Sequence, residues 1–237
     1  EALEGRPVDA NAQPAAGRRK RLLIADMDST IITSESLDEL AEFAGLKAVI
    51  SAITERAMRG ELDFEAALRE RVAMLAGLPA TAIDTVLERT EITAGAAALV
   101  ATMKANGGYC ALVSGGFTPM TGAIRARLGF DEDRANRLEI VDGALSGRVI
   151  EPILGREAKL AALRELALRL GGAPQDAVAV GDGANDLAML QAAGIGVAFR
   201  AKPAVRDAAA FRIDHGDLTG LLYLQGYRAS EIEPALA

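Results

Sequence analysis

Leu22-Leu23-Ile24-Ala25-Asp26-Met27-Asp28-Ser29-Thr30 is a short apolar run that ends in two carboxylates separated by one residue. A run of this length with nothing polar in it predicts a strand buried on both faces, as in a parallel sheet covered by helices. Open α/β folds bind ligands in the crevice beyond the carboxyl ends of such strands, which is where Asp26 and Asp28 fall. Taken alone, the stretch reads equally well as an acidic strand end followed by a Ser/Thr helix cap, so the rest of the chain decides.

Directly after it, 34–90 loses strand character. Leu37, Leu40, Ala41, Phe43 and Ala44 recur with a helical period, as do Phe64, Ala67, Leu68, Val72 and Leu75. Gly45, Gly60 and Gly77-Leu78-Pro79 punctuate the block at expected helix ends and starts. A helical insertion at this point hangs over the carboxyl edge of the sheet and predicts a cap.

The alternation of strands and helices then resumes: a helix over 94–105, a buried strand over 109–113 stopping at Ser114-Gly115-Gly116-Phe117, and a helix over 119–128. Segments 137–141 and 145–149 flank Asp142-Gly143, a hairpin turn signal that predicts an antiparallel excursion. A helix over 156–170 carries Lys159 near its start. The strand over 177–180 ends in Gly181-Asp182-Gly183-Ala184-Asn185-Asp186, and a helix over 187–192, strands over 195–199 and 211–213 and a helix from 218 follow. The pattern predicts an α/β fold, a doubly wound, mostly parallel Rossmann-like sheet formed by 21–33 and 91–237, with a small helical cap at 34–90 and a leader or linker at 1–20.

With 237 residues, half of them hydrophobic, the chain is long enough for such a core plus a smaller appended unit. A net charge of −7 argues against nucleic acid as a partner. The basic cluster Arg18-Arg19-Lys20-Arg21 lies in the polar leader and reads as a solvated lead-in. The chain starts at Glu1 without Met, and 1–17 has the composition of a linker to something preceding it. Cys110, the only cysteine, falls in an apolar run and reads as a small core residue, in keeping with a reducing cytoplasm. No apolar run approaches a membrane span, and a membrane partner is not expected. His215, in the polar loop Asp214-His215-Gly216-Asp217, reads as solvated.

Three strand ends thus carry polar clusters: Asp26 with Asp28, Ser114 with Gly115 and Gly116, and Asp182 with Asn185 and Asp186. In a parallel sheet they share one edge and converge. Converging carboxylates repel one another unless a cation is present, and an all-oxygen set suits Mg²⁺. A hydroxyl followed by glycines exposes N–H groups that can cradle phosphoryl oxygens, and Lys159 can add a positive charge. One aspartate can then attack phosphorus while the second moves the proton of the leaving group.

Asp26-Met27-Asp28-Ser29-Thr30, Ser114-Gly115-Gly116, Lys159 and Gly181-Asp182-Gly183-Ala184-Asn185-Asp186 resemble, in order and spacing, the four motifs of the haloacid dehalogenase superfamily of phosphohydrolases. More narrowly, Glu35, the run Phe64 to Val72 and the strand ends resemble the branch acting on O-phospho-L-serine, the last step of serine biosynthesis. The resemblance implies Asp26 as nucleophile and Asp28 as general acid and base. It implies Mg²⁺ on the Asp26 side chain, the Asp28 backbone carbonyl and Asp182, with Asp186 in support, and phosphate on Ser114, Gly115 and Lys159, with Asn185 helping to position it. In the cap it implies Glu35 for the substrate ammonium, Arg71 for its carboxylate, and Met58 and Phe64 as apolar shields. Gly155-Arg156-Glu157 departs from the usual polar lead-in to the lysine. Read without the resemblance, Glu35 charges a helix start, Arg71 pairs with Glu70 on the surface, and Met58 and Phe64 are ordinary core residues. A phosphatase or phosphotransferase for another small metabolite remains open, as does a phospho-aspartate signalling receiver. Oligomeric state is open as well.

Overall fold

The structure, a computed structural model, describes residues 6–59 and 61–234, with the side chain of Met58 outside the described part. Strand β1 (Leu22–Ala25) occupies the centre of a seven-stranded sheet, with β2 (Tyr109–Phe117) and β5 (Ala177–Gly181) parallel on either side of it. Its residues alternate between two cores. Leu23 and Ala25 join the cluster that includes Leu99, Val100 and Met103 of α5 (Ala96–Ala105), whereas Leu22 and Ile24 join Ala162, Leu163 and Leu166 of α7 (Arg156–Arg169). Burial on both faces is the physical reason for the unbroken apolar run.

Ala25 is paired with Leu112 of β2 and Val180 of β5, so the chain leaves the three strands at nearly one level. Asp26, Ser114 and Asp182 are thereby delivered to one edge. Beyond β5 the parallel sheet continues through β6 (Ile195–Phe199) and β7 (Phe211–Ile213), with α8 (Leu187–Ala192) and α9 (Pro203–Ala208) between them.

On the other side the expected antiparallel excursion around Asp142-Gly143 is present, and its first strand is longer than the apolar pattern shows. Strand β3 (Glu132–Val141) starts earlier than its apolar part and pairs parallel with β2 through Glu132, Asp133 and Arg134 before turning antiparallel to β4 (Ala144–Ile150). Those charged residues hide the strand in the sequence. In the fold Arg134 bonds Glu132 and Glu165, and Asp133 bonds Arg125 and Thr121, the latter two on α6 (Thr118–Leu128).

The insertion after β1 holds α1 (Ser36–Phe43), α2 (Lys47–Met58), α3 (Phe64–Ala73) and α4 (Thr81–Arg89). Its two connections to the sheet pair with each other at Ile32 and Ile92, with Thr33 N–H bonded to Glu91 and Thr93 N–H to Ile31. Helix α3 rests against β4: a Cβ added at Gly147 would lie 3.3 Å from Ala73 O at the end of α3, and Arg69 bonds Glu151 just beyond β4.

Residues 9–20, within the leader or linker expected at 1–20, are tied to β7 and the loop after it and to the C-terminal region of the chain. Asn11 exchanges both amide hydrogen bonds with the backbone of Arg212 in β7, and Asp9 accepts the backbone N–H groups of Asp214, His215 and Gly216. Gln13 donates to Leu224 O in α10 (Gly220–Leu224), Lys20 N–H donates to Gln225, and Arg19 bonds Glu231 while stacking on Tyr227. Cys110 and His215 lie where the sequence suggests. Cys110 is buried, which pushes its thiol up to about 12, and His215 is exposed.

Candidate active site

The tight loop Met27–Ile31 that follows β1 sets the site. Asp26 opens it and accepts Met27 N–H on Oδ1 at 2.7 Å, and Asp28 lies in extended backbone (φ −65°, ψ 137°). Ser29 takes a left-handed φ of 53°, a conformation that a non-glycine residue holds only under constraint, and its hydroxyl donates to Glu35.

Asp26 and Asp28 face different partners. Lys159, wholly buried at the start of α7, places its ammonium 2.8 Å from Asp26 Oδ2 and 2.6 Å from Asp186 Oδ1. Asp186 Oδ2 in turn accepts the N–H groups of Asp182 and Gly183, which closes the Gly-rich turn after β5. Thr30 donates to Asp182 Oδ1 at 3.2 Å. Asp28 Oδ1, by contrast, accepts Ser36 N–H at 2.8 Å from the first residue of α1, and Ser114 Oγ lies 3.4 Å from Asp28 Oδ2. The hydroxyl of Ser114 also accepts Gly116 N–H at 2.9 Å. The glycines allow these approaches: a Cβ on Gly116 would sit 2.8 Å from Asp28 Oδ2, and one on Gly115 2.9 Å from the Phe64 ring of the cap.

Asp26, Asp28, Glu35, Phe64, Arg71, Ser114, Gly115 and Asn185 line one cavity of about 300 Å³ between cap and sheet. Arg71 is only 6% exposed. Its Nε donates to Ala67 O at 3.0 Å and its Nη1 to Thr54 Oγ1 at 2.8 Å, and no carboxylate lies within ion-pair distance of it among the described residues. It is not the surface partner of Glu70.

The charges of the site are unbalanced. One carboxylate oxygen from each of Asp26, Asp182 and Asp186 lies within 4.8 Å of the others, all three residues buried, with the single ammonium of Lys159 to offset them. Burial and the charge of Asp186 push Asp26 well above the usual carboxylate range against the pull of Lys159, and burial and Asp186 do the same to Asp182. Burial would push the Lys159 ammonium down, but Asp186 and Asp26 hold it above its ordinary value. Burial also raises Asp28, opposed by its bond from Ser36. An ionised Asp26 beside a protonated Asp28 therefore requires more positive charge near Asp26 than Lys159 provides. The all-oxygen donor set and its excess negative charge fit a hard divalent cation such as Mg²⁺.

Of the residues singled out in the sequence, Asp26, Asp28, Ser114, Gly115, Asn185, Glu35, Arg71 and Phe64 meet at the cavity. Lys159 does not line it and is committed to Asp26 and Asp186. The side chain of Met58 is outside the described residues. The Asp28 carboxylate stands apart from the three-aspartate cluster. Sequence reasoning missed Ser36, Thr54 and Arg156, which also line the cavity, and Asp38, which bonds Thr54. Neither Asp38 nor Thr54 carries a local signal, since Glu35 and Glu42 lie three and four positions from Asp38 and Ser51 three positions from Thr54.

This fold and this site define a class. The chain belongs to the haloacid dehalogenase-like hydrolases, whose family model matches residues 23–191. It is 48% identical over 220 residues to phosphoserine phosphatase SerB2 of Mycobacterium tuberculosis, an alignment covering 93% of this chain and 54% of that protein. A solved structure of the phospho-aspartyl intermediate analogue of phosphoserine phosphatase superposes with a TM-score of 0.83 at 40% identity, covering 86% of this chain and 98% of that one. A substrate-bound phosphoserine phosphatase complex gives 0.83 at 39% identity, over 86% of this chain and 97% of that one. The chain spans about half the length of the first curated relatives it matches, 54% and 53%. Among the described residues no helix is long and apolar enough to cross a membrane.

Proposed function

We propose that this chain hydrolyses O-phospho-L-serine to L-serine and phosphate through a phospho-aspartate on Asp26, with Mg²⁺ as cofactor. The observation that carries the reading is the pair Glu35 and Arg71. A carboxylate and a buried guanidinium without a carboxylate partner line the same cavity as Asp26 and Asp28, so a zwitterionic amino acid can be held by its ammonium and carboxylate while its phosphate reaches the aspartates.

Ser114, the Gly115 backbone and the Asn185 amide receive the phosphoryl oxygens at the strand ends. Asp26 attacks phosphorus, the bond from phosphorus to the serine oxygen breaks, and Asp28 gives that oxygen its proton. Water then attacks the phosphoryl group, Asp28 takes its proton, and the bond to Asp26 breaks. Met27 N–H and Lys159 hold the Asp26 carboxylate throughout, and Ser36 N–H holds Asp28. Asp26, Asp182 and, by the resemblance, the Asp28 carbonyl would hold Mg²⁺, with Asp186 in support beside them. Bound there, the ion supplies the positive charge that draws in a dianionic phosphate and stabilises it as charge shifts.

Phosphate release from a panel of monoesters, with and without Mg²⁺, tests the reading. We expect phosphoserine to exceed phosphoethanolamine and p-nitrophenyl phosphate in kcat/KM by at least about tenfold, the value of one charged hydrogen bond, and chelation to abolish all three activities. Equal kcat/KM across the panel would overturn the amino-acid reading, and full activity after chelation would overturn the metal.

A further inference from the structure

Resting on the reading that Arg71 takes the substrate carboxylate, we infer that Thr54 and Asp38 are positioning residues that keep the Arg71 guanidinium available for it. Thr54 Oγ1 lies 2.7 Å from Asp38 Oδ1, 3.1 Å from Ile50 O and 2.8 Å from Arg71 Nη1. The three side chains come from α1, α2 and α3, and all are buried, at 8%, 2% and 6% exposure for Asp38, Thr54 and Arg71.

Hydrogen-bond inventory fixes the polarity of this chain. A guanidinium has donors and no acceptor, so Thr54 accepts from Arg71. Its single hydroxyl proton then goes to the nearer and charged acceptor, Asp38. The negative charge of Asp38 thus reaches Arg71 through a neutral spacer.

That spacing resolves two opposing demands. A buried guanidinium needs a compensating charge: burial pushes Arg71 down, and Asp38 is the largest of the charges that offset this. A direct Asp38–Arg71 ion pair would provide it but would fill the fork that a substrate carboxylate requires. With Thr54 interposed and Nε tied to Ala67 O, the guanidinium is held at two nitrogens, and its Nη2 has no protein partner among the described residues. The fork is compensated from a distance, oriented, and open to the cavity that Arg71 lines.

The test is the ratio of kcat/KM for phosphoserine to that for phosphoethanolamine, which keeps the ammonium and phosphate and lacks the carboxylate. Because both substrates need the same folded site, the ratio is insensitive to partial unfolding. For Thr54→Val we expect the ratio to fall by about tenfold or more, through KM rather than kcat, because Arg71 is left to reorient or to pair with Asp38. Thr54→Ser, which restores the hydroxyl, is expected to bring the ratio back, and Asp38→Asn to lower it by a smaller factor. If wild type prefers phosphoserine and Thr54→Val keeps that preference, or if Thr54→Ser fails to rescue it, the positioning role is overturned alone. If wild type shows no preference, the phosphoserine reading fails and takes this inference with it. Should Thr54→Val not fold, an Asp38→Asn enzyme with an unchanged ratio overturns the inference.

Discussion

Two acidic side chains at the cavity differ in what surrounds them, and that difference sets how each responds to pH. Asp28 is held by a backbone N–H and stands close to Ser114, whereas Glu35 is pushed up to about 7 by burial, then by the charge of Asp28, against the hydroxyl of Ser29. Only ionised Glu35 attracts an ammonium, so KM for phosphoserine should rise about tenfold for each pH unit below about 7. A monoester without an amine serves as the control, and a shared rise would assign the effect to the phosphate. The same group bears on stability. Between its ordinary value of 4.5 and about 7 the folded protein binds more protons than the unfolded chain, so stability falls as pH rises through this window. Glu35→Gln should therefore raise Tm at pH 8 and leave it nearly unchanged near pH 4.5; a mutant less stable than wild type at pH 8 would contradict the assignment. Arg71→Ala should lower kcat/KM for phosphoserine on the order of 100-fold, as expected for truncating a buried charged contact, and act far less on p-nitrophenyl phosphate. Equal losses on both would count against carboxylate recognition.

Among the elements, the proposed reaction draws its reactive groups from the strand ends and its selective ones from the helical insertion. Gly116 tests the first. Its added Cβ would press on the far end of a side chain, Asp28 Oδ2 at 2.8 Å, and its backbone has no left-handed φ. Gly116→Ala should thus lower kcat by tenfold or more with little change in Tm, and the converse pattern would show that Asp28 orientation is not what the glycine protects. The elements also explain what a reader of the sequence can see. Strands β1, β2 and β5 are legible because burial on both faces demands an unbroken apolar run, and their ends announce the site. The start of β3 is hidden because Glu132, Asp133 and Arg134 enter the sheet by pairing with one another, with Arg125 of α6, and with Glu165 and Arg169 of α7, which lie more than thirty positions away. For the same reason Glu35 and Arg71 emerge only through the family resemblance: nothing local marks Arg71 as a buried group, since its burial depends on helices α1 and α2 closing over it.

At the scale of the whole molecule, Asp9 and Asn11 strap the β7 edge, and Gln13, Arg19 and Lys20 tie the same segment to the C-terminal region. Composition hides it, because its bonds are single side chains reaching backbone about two hundred positions away, with no periodicity to betray them. Asp9 meets three successive N–H groups of the loop after β7, and Gly216 in that loop accepts Arg200. Arg200 begins the turn in which Lys202 N–H bonds the Asp182 carbonyl. An Asp9→Ala, Asn11→Ala double variant should lose about 1–3 kcal/mol, a fall in Tm of several degrees. An unchanged Tm would make the strap a passive covering.

The phospho-aspartate proposed on Asp26 is read out by acid-quenching the enzyme during turnover of phosphate-labelled O-phospho-L-serine and mapping the labelled peptide. The label should fall on Asp26, disappear in Asp26→Asn, and turn over very slowly in Asp28→Asn. Label retained in the Asp26→Asn enzyme, or phosphate released from phosphoserine by that variant at the wild-type rate, would rule out Asp26 as the nucleophile.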